Sequence, residues 1–507
     1  MGHPGRRARV KSVTLYPDGS RRVSGSPHSY LKHAARSHRR WLALAEEFLP
    51  VHRDEEIWRY SRRWELTDRE QGWKIHVSAT INAANDVFQT AAEYLRQHKA
   101  LYKAPSTLGE LAKLNSGLFY GYSQVGKFLT IYPKDDNDFT EIVDTLASRL
   151  PHGASAPKVP FDISCSRGSS IHYRYGSFVT RSMTDERGNS IPAIVAPDGS
   201  LVPDRRDVAH PSWANLTKLM SVPTVVRRRP DSPLSTRFRI IRAISQRGKG
   251  GVYEALDTAR DPSLPCIVKE GRLHGETAWD GRDGSDRIRH EEEVLRELQE
   301  CDIQTPSILQ GFEVEGNRYL ALEYIDGARL DGWLLSRRRR LPIGRVAEVG
   351  LQVARLISRI HAAGWVWRDC KPSNLLITKA GLIRPVDFEG AVRLSEPDPL
   401  PWNTPRFSPP ELKTYQSTTA RLSNLPEDLY ALGATLAFLL DGQTDPTFFA
   451  NDGEKNYQPL ENGPSRRGVP KFFCELIGQL LSDEPSCRPD ADTVVEVLTS
   501  LKRDSSE

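Results

Sequence analysis

The spacing of four polar residues in the last third of the chain constrains its fold more than any other feature. Asp369, Lys371 and Asn374 form the pattern Asp-x-Lys-x-x-Asn, and Asp387 follows thirteen residues after Asn374. In such a loop Asp369 can accept the proton of a substrate hydroxyl, and Lys371 can neutralise a transferred phosphoryl group. Asn374 and Asp387 can each hold Mg²⁺. The alternative is a hydrophilic loop with carboxylates placed by chance, but four matches in order favour a phosphoryl-transfer site.

A glycine-rich turn lies upstream, between a predicted strand "RFRIIRAIS" and a second predicted strand "VYEALD". The turn contains Gly248, Gly250 and Gly251. Glycine lets backbone N–H groups approach and enclose phosphates, because no side chain stands in the way. The spacing is one residue shorter than the usual glycine-rich pattern, and glycines mark ordinary turns at least as often. The turn therefore predicts nucleotide binding only in combination with its neighbours.

A lysine and a glutamate complete the predicted nucleotide site. Lys269 lies in a third predicted strand, "PCIVKEG", and the next predicted helix is "RIRHEEEVLRELQE". Glu291 shares one face of this helix with apolar residues at helical spacing, whereas Glu292 and Glu293 are its rivals. In phosphoryl-transfer enzymes of this type, the Lys holds nucleotide phosphates and pairs with a Glu on that helix. Glu291 is therefore the predicted partner of Lys269.

Three more residues extend the pattern towards the C-terminus. Glu411 ends the segment "NTPRFSPPE", Asp428 begins an apolar helix, and Arg488 lies in "CRP". With the residues above, these segments resemble the protein-kinase fold over about residues 235–505. The resemblance implies binding of ATP, or another nucleoside triphosphate, together with Mg²⁺. It also implies that Glu411 and Arg488 pair to anchor the activation segment.

Two residues depart from the usual kinase pattern. Trp367 stands where a His is usual, and Glu389 stands where a Gly is usual. We expect Trp367 to fill the space by packing, without the hydrogen bonds of a His. Loss of a flexible glycine at Glu389 should favour one fixed arrangement. Neither change removes a group that contacts ATP or metal, so the sequence predicts an active, constitutively arranged kinase.

The N-terminal half contains a strand–helix pair with a polar strand face. "WKIHVSAT" alternates, which places Lys74, His76 and Ser78 on one face and apolar residues on the other. The following helix has a predicted buried stripe consisting of Val87, Phe88, Ala91, Ala92 and Leu95. A Lys-x-His pair on a strand face is often merely solvated.

Other cations in this half sharpen the prediction. They are Lys103, Lys127, Arg174 and Arg181, each in or beside a predicted strand or helix. Strands, helices and a surplus of cations predict an α+β domain that binds an anion such as phosphate.

These segments resemble a known lyase domain. "GWKIHVSAT", "KAPSTLGELAKLNSG", "GKFLTIYP" and "HYRYGSF", between about Asp54 and Arg181, are similar to the lyase domain of class III lanthipeptide synthetases. In that family a kinase follows the lyase, and the "DFE" variant at 387–389 is familiar from its kinases. The lyase domain is more distantly similar to the phosphothreonine lyases secreted by bacterial pathogens, which share a Lys-x-His strand.

The resemblance implies roles for the cations. Lys103 would remove the Cα proton of a phosphorylated Ser or Thr, and His76 would give a proton to the leaving phosphate. A normal Lys is protonated at neutral pH, so burial and nearby cations would have to lower its pKa. Four residues would hold the phosphate: Lys74, Lys127, Arg174 and Arg181. The products would be dehydroalanine or dehydrobutyrine and inorganic phosphate.

The predicted fold class is α+β, with an N-terminal phosphothreonine-lyase-like domain followed by a two-lobed protein-kinase-like domain. The predicted segments are 1–50 (basic), 51–221 (lyase), 222–236 (linker) and 237–507 (kinase). The predicted function is a bifunctional dehydratase of a ribosomally made precursor peptide with a leader. Members of the family typically continue with a cyclase domain. Because this chain stops at Glu507, we expect a separate cyclase or uncyclised dehydro residues.

Composition narrows the remaining possibilities. The 70 basic and 65 acidic residues nearly balance, which does not indicate nucleic-acid binding. We find no signal peptide or membrane span, and the six cysteines form no CxxC pair, so a reducing cytoplasm is the expected location.

Two alternative functions stay open: a Ser/Thr kinase with an N-terminal docking or regulatory domain, and a scaffold without chemistry. The cations of the N-terminal half argue against a docking domain, and the kinase residues argue against a scaffold.

Overall fold

We describe the chain from a computed structural model. The structure describes residues 13–15, 21–23, 27–52, 57–151, 156–207, 210–214, 232–337, 340–398, 402, 404, 406–412, 421–422, 425–441 and 469–504. Most of the predicted linker, from 222 to 231, lies outside the described residues, as do two residues of the arginine run. The predicted α+β class, with a kinase domain following an N-terminal domain, is confirmed.

A six-stranded antiparallel sheet is the centre of the N-terminal domain, and its strand order is β3-β5-β6-β4-β8-β7. A short hairpin and a long helix precede it: β1 (Val13–Leu15), β2 (Arg21–Val23) and α1 (Pro27–Phe48). The domain continues with β3 (Trp58–Tyr60), β4 (Gln71–Val77), α2 (Ala84–Gln97), β5 (Leu101–Pro105), α3 (Leu108–Ser116), β6 (Leu129–Tyr132), α4 (Asp136–Arg149), β7 (Ile163–Ser164) and β8 (Ile171–Ser177).

One face of this sheet is apolar because Trp73, Ile75 and Val77 alternate along β4 and are buried. Ile75 and Val77 are fully buried in a core that α2 also lines, and all five residues of the predicted α2 stripe belong to it. Helix α1 packs on the same core, where Trp41 contacts Phe88 with ring centroids 5.0 Å apart. The opposite face of β4 therefore remains for polar side chains.

Polar caps fix where several helices begin. Thr107 accepts a hydrogen bond from the backbone N–H of Glu110 at the start of α3. Asp135 caps α4 in the same way, through the N–H of Asp138. Each such cap stabilises a helix by about 1 kcal/mol.

A three-stranded sheet follows, formed by β9 (Ser182–Thr184), β10 (Ser190–Val195) and β11 (Leu201–Pro203). Strands β10 and β11 are antiparallel, and the backbone N–H of Ala196 donates to the carbonyl of Ser200 in the turn between them. This hairpin delivers the segment beginning at Asp204 to the edge of the larger sheet, where Asp204 contacts Arg174 of β8.

The kinase domain begins with a five-stranded antiparallel sheet of order β12-β13-β14-β16-β15. Its elements are α5 (Pro233–Thr236), β12 (Phe238–Arg247), β13 (Gly250–Asp257), β14 (Leu264–Gly271), α6 (Gly284–Glu300), β15 (Ile308–Val314) and β16 (Asn317–Glu323). The inner face of helix α6 carries Glu291, Leu295 and Leu298, and all three side chains are buried. This sheet with its helix forms the first lobe.

The second lobe is mainly helical. Its elements are β17 (Gly327–Arg329), α7 (Leu330–Leu335), α8 (Ile343–Ala362), β18 (Trp365–Val366), β19 (Leu375–Thr378), β20 (Ile383–Pro385), β21 (Val392–Arg393), β22 (Pro397–Asp398), β23 (Arg421–Leu422), α9 (Leu425–Asp441), α10 (Lys471–Leu480) and α11 (Ala491–Asp504). The apolar run of α9 is buried in the core of this lobe. In the described part of the chain, no helix has the length and apolarity that crossing a bilayer requires.

Candidate active sites

Strand register brings the polar residues of β4, β5 and β8 together on the face opposite the apolar core. Directly paired residues of antiparallel strands project to the same side of a sheet. Lys74 pairs with Arg174, while Thr130 pairs with both His76 and Lys103. The four charged or titratable side chains of these pairs therefore lie on one surface, which we call the cationic face (Lys74, His76, Lys103, Arg174).

Burial shapes the charge of the lysines at this face. It lowers the pKa of Lys74 to about 7, and the neighbouring cations Arg174 and Lys103 act in the same direction, against Asp204. It also lowers the pKa of Lys103 to about 8, helped by Arg206 and Lys127. The Lys103 ammonium lies 4.3 Å from the centre of the Trp58 ring. A substantial fraction of each amine is therefore neutral near pH 8, which a lysine base requires.

Lys127, just before β6, joins the cationic face from its loop. It is buried, and burial lowers its pKa to about 8, as do Arg174 and Arg206, although Asp162 opposes the shift. Its ammonium lies 3.9 Å from a carboxylate oxygen of Asp162. Several buried cations around two carboxylates leave a local surplus of positive charge, which favours an anionic ligand.

Asp162 fixes the imidazole of His76. Its carboxylate lies 2.6 Å from Nδ1, and the side chains of both residues are buried. Burial lowers the pKa of His76 to about 3, even though the Asp162 carboxylate acts in the opposite direction. The ring is therefore neutral at pH 7, and Asp162 contacts it through Nδ1. A bound phosphate would raise this pKa through its negative charge and so allow proton donation.

Arg174 is held by the segment that follows β11. Its Nη2 lies 2.5 Å from Asp204 and donates to the carbonyl of Arg205 at 2.9 Å. Its Nε–H is buried and has no hydrogen-bond partner among the described residues. A buried guanidinium with an unused donor suits a phosphate oxygen, since such donors are costly to leave unpaired.

Arg181 contacts residues near the start of β4, whereas Arg174 contacts the segment after β11. Arg181 forms an ion pair with Glu70 and donates to the side chain of Gln71 at 3.4 Å. Arg206, which sequence reasoning missed, is exposed and interacts electrostatically with Lys103 and Lys127. Asp162 and Asp204 were missed as well, because they lie in loops whose course the strand pattern does not reveal.

The nucleotide-binding residues of the kinase domain converge on Lys269. Its Nζ lies 2.7 Å from both carboxylate oxygens of Glu291 and 3.0 Å from Asp387. Burial alone would lower the pKa of Lys269, but Asp387 and Glu291 together raise it, so Lys269 stays charged. Glu292, the rival of Glu291, instead contacts Arg318 on β16.

The glycines of the turn lie before and at the start of β13. Gly250 pairs with Gly271 and has φ +157°, and a Cβ there would stand 1.7 Å from the carbonyl oxygen of Glu270. A Cβ on Gly251 would meet the Tyr253 hydroxyl at 2.4 Å. The backbone N–H of Gly248 donates to the carbonyl of Ser116, at the end of α3, at 2.9 Å. Side chains at 250 and 251 would therefore distort the turn.

Asp369 is the acceptor at the centre of the catalytic loop. It accepts hydrogen bonds from Lys371, from the Asn374 amide and from the Thr404 hydroxyl, each at 2.8 Å. Because the Asn374 nitrogen donates in this way, its amide oxygen is the atom that would bind a cation. With the Asp387 carboxylate it offers the hard oxygen ligands that Mg²⁺ prefers alongside nucleotide phosphates. Among the described residues, no group of three or more His, Cys, Asp or Glu side chains is arranged to hold a metal by itself.

Trp367 is buried and packs as expected, but the expectation that it would make no hydrogen bond in place of the His is wrong. Its indole N–H donates to the backbone carbonyl of Asp387 at 2.9 Å, while its ring stacks on Phe388 with centroids 5.1 Å apart. Asp428 accepts hydrogen bonds from the backbone N–H groups of Trp367 and Arg368, at 2.8 and 2.7 Å. An indole can donate one hydrogen bond, and here it holds the carbonyl of the residue predicted to bind metal.

The activation segment is anchored at its end. Arg488 donates from both terminal nitrogens to Glu411, at 2.7 and 2.8 Å. Such a bidentate pair restricts both side chains more than a single hydrogen bond would.

Comparison with known proteins identifies both halves of the chain. Residues 240–498, just over half of the chain, match the protein kinase domain family. The chain belongs to the protein kinase family. Residues 46–230 match the family described as RamC, N-terminal domain. A RamC N-terminal domain followed by a kinase domain agrees with the resemblance to class III lanthipeptide synthetases.

The curated relatives include a synthase and serine/threonine-protein kinases. The probable SapB synthase of Streptomyces coelicolor is 30% identical over 340 residues, which cover 64% of this chain and 36% of that protein. The probable serine/threonine-protein kinase PknB of Lactococcus lactis is 29% identical over 210 residues, covering 41% of this chain and 32% of that kinase. The serine/threonine-protein kinase PknA of Mycobacterium tuberculosis is 26% identical over 276 residues, which cover 52% of this chain and 62% of that kinase. The chain therefore spans about a third of the length of the first two relatives.

Proposed function

We propose that the chain is a bifunctional peptide dehydratase. Its kinase domain phosphorylates Ser or Thr of a ribosomally made precursor peptide, and its N-terminal domain then eliminates the phosphate to give dehydroalanine or dehydrobutyrine. The observation that carries the proposal is the cationic face with its partly neutral lysines, on a RamC N-terminal domain joined to a kinase domain. A docking domain has no need of buried lysines with lowered pKa.

The kinase residues support transfer of a phosphoryl group from ATP or another nucleoside triphosphate. Asp369 accepts the proton of the peptide hydroxyl as its oxygen bonds to phosphorus, and Lys371 neutralises charge on the transferred group. Lys269 binds the nucleotide phosphates. Mg²⁺ bound by Asn374 and Asp387 would supply charge neutralisation on the phosphates.

The cationic face supports elimination from the phosphorylated peptide. Lys103 takes the Cα proton, the electron pair forms the Cα=Cβ bond, and the Cβ–O bond breaks with release of phosphate. Arg174, Lys74 and Lys127 stabilise the negative charge that grows on the leaving oxygen. His76, oriented by Asp162, gives that oxygen a proton. Lys74 has a similarly lowered pKa and is the second candidate for the base.

The whole reaction can be followed with one peptide substrate. We expect the protein, given Mg²⁺, ATP and a Ser/Thr-containing precursor peptide, to yield a peptide lighter by one water for each modified residue. ADP and inorganic phosphate should form in equal amounts, as mass spectrometry and a phosphate assay would show. Accumulation of phosphopeptide without free phosphate would instead support the alternative, a Ser/Thr kinase with an N-terminal docking domain.

Elimination should speed up with rising pH. Lys103 must be neutral to take a proton, and its pKa is about 8, so the neutral fraction falls about tenfold per unit below that pH. We expect kcat/KM for a synthetic phosphopeptide to rise from about pH 6.5 and to level off above about pH 8. A rate that is flat or falls across this range would exclude a lysine base.

Loss of the Asp162 carboxylate should impair elimination through His76. Asp162→Asn keeps the size of the side chain but removes the charge that opposes the low pKa of His76 and supports protonation of the ring. We expect kcat for elimination to fall about 10- to 100-fold, while peptide phosphorylation is unchanged. Asp144→Asn, on the surface of α4, is the matched control, and equal rates for the two variants would contradict the role of Asp162.

A further inference from the structure

The glycine-rich turn (residues 248–251) is tied to the N-terminal domain. The N–H of Gly248 donates to the carbonyl of Ser116, and a Cβ on Gly248 would stand 1.6 Å from the carbonyl oxygen of Asn115. The carbonyl of Lys249 in turn accepts a hydrogen bond from the N–H of Arg272 at 2.8 Å. The N–H of Gly248 and the carbonyl of Lys249 are therefore engaged by protein partners, and the N–H of Gly248 is not directed at a phosphate.

The side chain of Lys249 extends from this turn into the kinase cleft. Its ammonium forms an ion pair with Glu389, whose side chain is buried. It interacts electrostatically with Asp387 and Lys269, the residues at the centre of the nucleotide site. The Trp402 ring lies 5.9 Å from the ammonium. A cation from the turn thus reaches the residues at the centre of the predicted nucleotide site.

A phosphate beside Asp387 would need such a cation. The terminal phosphate of a nucleoside triphosphate carries negative charge next to two carboxylates, those of Asp387 and Glu389, and an ammonium at this place can bind its oxygens. Charge shifts within the terminal group as its bond to the nucleoside diphosphate breaks and its bond to the peptide oxygen forms. A preorganised cation stabilises that charge.

We propose that Lys249 is a catalytic residue of the kinase that binds the terminal phosphate of the nucleoside triphosphate, and that Glu389 is the positioning residue that holds Lys249 in the cleft before nucleotide binds. The proposal rests on the proposed kinase function. This role gives a reason for a glutamate at position 389, two residues after Asp387, where a glycine is usual. The Glu389 carboxylate keeps the Lys249 side chain pointed into the cleft.

Nucleotide binding tests the role of Lys249 directly. Lys249→Ala should weaken binding of an ATP analogue that cannot transfer its terminal phosphate by about 10- to 100-fold, measured by calorimetry with Mg²⁺. Binding of ADP should change by less than about threefold, because ADP lacks the terminal phosphate. Lys249→Arg should restore most of the preference for the triphosphate. Lys379→Ala, which removes an exposed lysine from the same domain, is the control.

If Lys249→Ala loses affinity equally for the triphosphate analogue and for ADP, or loses affinity for neither, the proposal is overturned. A thermal melt and elimination from a synthetic phosphopeptide report whether the Lys249→Ala protein is folded. Should the unchanged protein bind both nucleotides but phosphorylate no peptide, the proposed function would fail while the binding data still decided the role of Lys249.

The role of Glu389 requires a double-mutant cycle. In Glu389→Gln the carboxylate that holds the Lys249 ammonium in the cleft is lost, so the triphosphate analogue should bind about 3- to 10-fold more weakly. This loss of affinity should vanish when Lys249→Ala is also present. Additive effects of the two substitutions would show that Glu389 does not act through Lys249.

Discussion

Replacing Lys103 with Ala should leave the peptide phosphorylated and not dehydrated. The Cα proton is weakly acidic, so without a base the Cα=Cβ bond cannot form at a useful rate. We expect elimination to fall about 1,000-fold or more, while phosphorylation continues at its normal rate. Mass spectrometry after incubation with ATP and Mg²⁺ distinguishes the outcomes, because each phosphate adds mass whereas dehydration removes it.

Two comparisons make the Lys103 result specific. Lys113→Ala removes an exposed lysine from neighbouring α3, so it should dehydrate the peptide normally. Lys74→Ala should weaken phosphopeptide binding. It should also slow elimination, but by a smaller factor than Lys103→Ala does. If Lys103→Ala still gives fully dehydrated peptide and Lys74→Ala does not, the base is Lys74. If both variants dehydrate normally, the lyase interpretation of this face is wrong.

Asp369→Asn should abolish all modification of an unphosphorylated peptide. The amide cannot take the hydroxyl proton, and it no longer accepts the hydrogen bonds of Lys371 and Thr404 as a carboxylate does. We expect phosphorylation to fall at least about 100-fold, which a radiolabelled-phosphate transfer assay would measure. Since no phosphate is added, no dehydration should follow.

The same variant should retain elimination from a chemically synthesised phosphopeptide, because Asp369 lies in the kinase domain and the cationic face in the N-terminal domain. Asp302→Asn, at a fully exposed position, serves as the control. Loss of elimination in a folded Asp369→Asn protein would contradict two separate sites.

The sequence predicted the local pattern of the N-terminal site but not the loops around it. Strict alternation placed Lys74 and His76 on one strand face, and the structure agrees because an apolar core holds the other face. Asp162 contacts His76 across 86 residues of sequence, and Asp204 contacts Arg174 across 30. Periodicity defines the face of an element, whereas the path of a loop depends on tertiary packing.

The kinase half shows the same limit. The helical pattern favoured Glu291, and α6 does turn Glu291 towards Lys269, because neighbouring helix residues point in different directions. The spacing of glycines did not reveal that the N–H of Gly248 donates a hydrogen bond to the N-terminal domain, at the carbonyl of Ser116. Trp367 was treated as an apolar filler, and its hydrogen bond depends on a carbonyl twenty residues away.

The central claim is that the N-terminal domain eliminates phosphate from a phosphopeptide. The most direct measurement uses a synthetic phosphoserine peptide with deuterium at Cα, incubated with the protein in the absence of any nucleotide. We expect free phosphate, a dehydroalanine peptide that has lost its deuterium, and a slower rate than with the undeuterated peptide. Release of phosphate with formation of a serine peptide that keeps its deuterium would mean hydrolysis, and would contradict the account, as would a peptide that remains unchanged.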